Sequence, residues 1–161
     1  MKTFSLLIVD GSFSVRQHIS AALKNHPELD VMDFATSEHK TIQILKSFIP
    51  SAIVCNREFI TRDFIRWLAP FFSSGEMALL VYGDTPPECL NEAGKNLSGS
   101  FTDFIPLKNA EKETIEKLVL TLSTKLNLFH PLSKSTVTAK KAEDLVPALK
   151  VIAIGASAGG P

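Results

Sequence analysis

Ser5-Leu6-Leu7-Ile8-Val9-Asp10-Gly11-Ser12 sets a short, nearly unbroken apolar run directly before an acidic residue and a glycine. A strand with one face in water alternates apolar and polar side chains; one covered on both faces does not. Similar runs recur at residues 29–34, 52–55, 77–82 and 101–105, separated by segments of helical period. Val15, Ile19, Ala22 and Leu23 mark one face of the first helix, which Ser12 or Ser14 is placed to cap. The second covers residues 37–48, with Ile42, Leu45 and Phe48 inward. The third covers residues 62–72, where Pro70 should kink or end it. The fourth, residues 87–97, is weakened by Gly94 and two asparagines. The fifth, residues 110–128, carries the stripe Ile115, Leu118, Val119, Leu122 and Leu126, with Asn109 placed to cap it. This alternation predicts an α/β fold: a doubly wound, five-stranded parallel sheet of flavodoxin-like order, closing one domain over residues 1–129.

Composition agrees. Of 161 residues, 45% are apolar, and 17 basic side chains balance 17 acidic ones. A core is available, and no net field draws the chain to nucleic acid or anionic lipid. The apolar run behind Met1 is too short for a signal peptide, and no later stretch approaches a membrane span. A cytoplasmic protein without membrane insertion is expected. Cys55 ends an apolar run and reads as a buried thiol, whereas Cys89 lies in a polar stretch; together they make neither a disulfide framework nor a metal cluster.

From residue 130 to 149 the periodicity dissolves amid Pro131, Pro147 and a Ser/Thr/Lys mixture, which reads as a linker. Residues 150–161 then begin a second, truncated domain. The strand Lys150-Val151-Ile152-Ala153-Ile154 runs into Gly155-Ala156-Ser157-Ala158-Gly159-Gly160-Pro161. This fits the G-x-S-x-G turn that lifts a serine above a parallel sheet, beside a helix N-terminus able to help hold an oxyanion. Glycines that only turn the chain are the plainer alternative. Neither phosphate-loop spacing fits these residues. A nucleophilic serine also needs a base. His18, His26, His39 and His130 all precede the turn and read as surface or helix-face residues. The chain as given is therefore expected to lack esterase activity.

In an open parallel sheet the crevice lies beyond the carboxyl ends of the central strands, which points to Asp10 and Gly11, Asn56, Tyr82 to Asp84, and Pro106 to Lys108. Here the sequence resembles the response-regulator receiver family of two-component signalling. The resemblance rests on Leu7 to Ser12, on Pro50-Ser51-Ala52-Ile53-Val54-Cys55-Asn56, and on Gly99 with Asp103-Phe104-Ile105-Pro106. It implies phosphorylation of an aspartate with Mg²⁺ bound, and the departures bear on that chemistry. Where the family carries two acidic residues stand Asp10 and Gly11. Asn56 holds the phosphoacceptor position. Tyr82 holds the place of a hydroxyl residue, with the wrong reach. Leu107 holds that of the lysine, with Lys108 one place later and facing elsewhere.

A neutral amide is a poor nucleophile, and a single carboxylate holds Mg²⁺ weakly. A degenerate site that takes no phosphoryl group and no cofactor is expected, with Asp10 a weak metal remnant or a cap of the following turn. Asn56 as an ordinary loop residue of an unrelated α/β domain is the plain alternative. Asp63 and Asp84 read as turn or cap residues rather than surrogate carboxylates.

Receiver, linker and then Val151 to Gly160 is also the domain order of the chemotaxis protein-glutamate methylesterases (CheB), whose catalytic domain that run resembles. The resemblance implies Ser157 as the nucleophile of a carboxylic ester hydrolase. Its substrates would be methyl-glutamyl esters of chemoreceptors, with glutamine deamidation beside them. Its receiver would act on its own methylesterase domain, and chemoreceptors or a histidine kinase would be further partners. By the same resemblance, the face of the fourth helix, fifth strand and fifth helix is where receivers meet partners. Two alternatives stay open: a stand-alone receiver-fold interaction module, and a response regulator phosphorylated at an atypical acidic residue.

Overall fold

The computed structural model describes residues 3–72, 77–97 and 101–134. Strands β1 (Phe4–Val9), β2 (Leu29–Ala35), β3 (Ala52–Asn56), β4 (Ala78–Gly83) and β5 (Phe101–Pro106) form one parallel sheet in the order β2-β1-β3-β4-β5. This is the flavodoxin-like order, and each strand lies within one residue of its apolar run. β1, β3 and β4 are buried along nearly their whole length, as strands covered on both faces must be. Edge strand β2 slips in register: Leu6 pairs with Val31 but Leu7 with Asp33, leaving Met32 as an extra, exposed residue.

The helices are α1 (Phe13–Leu23), α2 (Glu38–Ser47), α3 (Arg62–Leu68), α4 (Leu90–Asn96) and α5 (Lys112–Lys134). Ser12, Ser37 and Thr61 accept the N–H groups of Val15, Lys40 and Phe64, satisfying amides that a helix start leaves open. Pro70 ends α3, and the chain tightens into a 3-10 turn at Ala69–Phe72. In α2, Leu45 is buried and Ile42 and Phe48 are half-buried and packed against the same core, as expected; Ile44 and Thr41 are buried beside them. Thr41 tolerates that place because its hydroxyl donates to the Ser37 carbonyl at 2.8 Å.

α4 begins at Leu90 rather than at 87, since a turn from the Pro87 carbonyl to the Leu90 N–H comes first. α5 continues past 128 to Lys134, through Pro131. A proline inside a helix removes one ladder bond and its ring crowds the carbonyl four residues back, a cost that here falls near the end of α5. Asn109 accepts the Glu111 N–H at 3.0 Å, in the turn ahead of α5. The chain divides into two compact units, Met1–Ser123 and Thr124–Pro161. Of the second, only the end of α5 is described; the rest of the expected linker, the 150–154 strand and Ser157 lie outside the described residues, as does Gly99. No helix among the described residues is long and apolar enough to cross a membrane.

Within the first unit, Ser123 of α5 donates to the Glu28 carboxylate, which also faces the His26 ring at 3.4 Å. The Ser123 hydroxyl foremost, then a backbone hydrogen bond and His26, hold the Glu28 carboxyl below its ordinary range. A depressed folded pKa contributes stability above the unfolded value and loses it as pH falls through the folded one. Ser123→Ala should therefore cost about 1 kcal/mol near neutrality. In denaturant titrations that difference should shrink on acidification below about pH 4, the ordinary carboxyl range.

Candidate functional site at the carboxyl ends of the central strands

Strand register brings the site together. Val9 pairs with Cys55, and Asn56 pairs with Tyr82, so the residue after β1 and the last residues of β3 and β4 line up across neighbouring strands. Asp10 sits in the middle and is 2% exposed. Its Oδ1 accepts the Ser12 N–H at 2.7 Å, in a turn that leads into α1. Its Oδ2 accepts from the Asn56 side-chain amide at 3.1 Å and from the Tyr82 hydroxyl. The other end of the Asn56 amide, Oδ1, accepts the Glu58 N–H at 3.0 Å, capping the 3-10 turn Arg57–Phe59. Both oxygens of the one central carboxylate thus take donors from the chain itself.

Tyr82 is fully buried. Burial first, and then the Asp10 carboxylate, push its phenol far above the ordinary range, so it stays protonated and donating. The Cys55 thiol, also fully buried, is likewise pushed up, by burial and then by the charge of Asp10. A buried thiol held protonated is chemically inert. Gly11 is exposed, and a side chain there would start in ordinary contact with the Phe59 ring. Leu107 is buried and its N–H donates to the Gly83 carbonyl at 2.7 Å, while Lys108 is exposed beyond it.

Of the residues singled out in the sequence, Asp10, Asn56 and Tyr82 meet directly. Gly11 lies at the rim, and Lys108 is exposed. Asp84 closes a turn by accepting the Thr85 N–H, and Asp63 sits in the first turn of α3, 3.1 Å from Arg66. His18 donates from Nδ1 to the Ala110 carbonyl at 2.8 Å, His26 faces Glu28, and His39 is exposed. Two participants carried no motif: Arg57, which bonds the Thr85 carbonyl, and Gly83 beneath it. A glycine at a strand end is the one signal that marks such a close approach.

No family model matches the chain. The fold is that of response-regulator receiver domains. It superposes on the response regulator domain of Thermotoga maritima CheB with a TM-score of 0.59 and 19% identity, over 79% of this chain and 96% of that one. The chemotaxis response regulator CheY4 of Vibrio cholerae gives 0.56 and 16% identity, over 75% and 99%.

In sequence, the chain is 26% identical over 167 residues to a protein-glutamate methylesterase/protein-glutamine glutaminase of Halalkalibacterium halodurans. That match covers 97% of this chain and 47% of the relative. A Bradyrhizobium diazoefficiens counterpart of a group 3 operon is 23% identical, over 96% and 48%. A regulatory receiver domain of the CheB type fits this chain, which spans about half the length of the curated relatives it matches.

Proposed function

We propose that this chain is a chemically silent receiver, one that takes no phosphoryl group and acts through protein contact. The arrangement around Asp10 carries the proposal. Aspartyl phosphorylation needs a carboxylate nucleophile, further carboxylates to hold a divalent cation, and a cation to neutralise the incoming charge. At those places stand the Asn56 amide, a single carboxylate whose oxygens accept from Ser12, Asn56 and Tyr82, and the apolar Leu107. This donor set does not fit Mg²⁺, and no group of three His, Cys, Asp or Glu side chains among the described residues is placed to share a metal.

A cytoplasmic setting, with no nucleic acid and no membrane insertion, belongs to the same proposal. The receiver (residues 1–129) would contact its own methylesterase domain across the linker (130–149). Ser157 would be the nucleophile of a domain opening at 150–161, and chemoreceptors or a histidine kinase would be partners of the whole protein. The test is incubation with acetyl phosphate and Mg²⁺ followed by intact mass measurement. The mass should stay unchanged; a stable gain of one phosphoryl group would overturn the proposal.

A further inference from the structure

Gly83 and Arg57 are packed together more closely than any other residue at position 83 would allow. A Cβ placed on Gly83 would lie 2.5 Å from Cδ and 2.6 Å from Cγ of Arg57. Both distances are far inside van der Waals contact, so the stem of Arg57 lies against the bare glycine backbone. The head of the same side chain donates from Nε to the Thr85 carbonyl at 2.6 Å and stands 3.8 Å from the Asp84 carboxylate. That carboxylate is 72% exposed, so the ion pair contributes little, and the stem and the hydrogen bond carry the hold. The loop leaving β4 is tied elsewhere too. Tyr82 is fixed by Asp10, and the Gly83 carbonyl by the Leu107 N–H. Three neighbouring segments, after β1, after β3 and after β5, therefore grip residues 82–85.

We infer that Arg57 is a strap that holds the β4–α4 loop in one conformation, by packing across Gly83 and bonding Thr85, with no group added at position 56. Its regulatory meaning rests on the silent-receiver proposal above; its geometry does not. In a silent receiver the strap keeps the loop ahead of α4 from switching between conformations.

The test uses the full chain with Arg57→Ala and Gly83→Ala, singly and together. In Gly83→Ala the new methyl displaces the stem, and the melting temperature should fall. In the Arg57→Ala background, where the stem is gone, the same change should lower it by less than half as much, roughly, since only contacting residues couple. Arg57→Ala should also speed exchange of the Leu107 and Ala93 amides by about tenfold while leaving those of β1 and β3 unchanged, as local opening does. In the unmutated chain, NMR should show contacts between the Arg57 side chain and the Gly83 α-hydrogens. Equal melting shifts in both backgrounds, unaltered exchange, or absent contacts would each overturn the strap. Phosphoryl uptake in the mass assay would sink the silent-receiver proposal and leave the packing result standing.

Discussion

Asn56→Asp, the substitution that puts back the missing carboxylate, is expected to destabilise the chain by roughly 2–4 kcal/mol at pH 7.5. The Asn56 amide donates to Asp10 across 3.1 Å. A carboxylate in its place offers no donor and sets a second negative charge against a carboxylate that is itself 2% exposed. Two like charges at that separation cannot both ionise freely, so one carboxyl of the pair must titrate well above its ordinary range. A raised folded pKa means that the native state holds a proton which the unfolded chain has released. The deficit is therefore full above the raised pKa and fades as pH falls through it, because the protonated acid can donate as the amide did. Urea unfolding of both proteins at pH 7.5 and pH 5 measures this. Equal stability at pH 7.5, or a deficit that grows on acidification, would show that the two side chains do not share the site. The variant is still expected to gain no phosphoryl group, since Gly11 and Leu107 remain.

Tyr82→Phe is the second large effect, about 1–3 kcal/mol of lost stability. The ring keeps its buried place on β4, the strand between β3 and β5, so little apolar contact is lost. What disappears is the hydroxyl donor to Asp10 Oδ2, leaving that oxygen with the Asn56 amide. Hydrogen bonds to charged acceptors lie at the upper end of the range, and a buried carboxylate deprived of a donor adds its desolvation cost. The double variant Asp10→Asn/Tyr82→Phe separates the bond from the ring: the cost of losing the hydroxyl should fall by at least about 1 kcal/mol when the acceptor is neutral. A loss under about 0.5 kcal/mol for Tyr82→Phe would mean that the hydroxyl is satisfied by water and the carboxylate is not held as described.

How much could be read in advance depended on whether a feature is local. Apolar runs such as Leu6 to Val9 and Ile53 to Cys55 mark strands buried on both faces, and parallel order follows from the helices between them. In α2, Ile42, Leu45 and Phe48 face the core as their apolar side chains suggest, whereas the burial of Thr41 was not legible, because it depends on its hydroxyl reaching the Ser37 carbonyl. The site divides in the same way. Asp10, Gly11, Asn56 and Leu107 are legible because each follows a strand end at a fixed count. The inward turn of Tyr82 is not, because its hydroxyl reaches Asp10 only through the register that sets it beside Asn56. Arg57 is less legible still: its hold on Gly83 depends on two loops meeting, and no spacing in one dimension encodes that.

The slipped register of β2 bears on how copies of this chain behave toward one another in concentrated solution. An open strand at the border of a sheet is a template on which another chain can lay its own backbone. Here the ladder breaks at the extra residue, Met32, and the outward positions beside it carry Asp30 and Asp33. An incoming strand would find its row of partners out of step and would bring its own matching negative charges against these two. Backbone pairing between molecules is therefore disfavoured along β2.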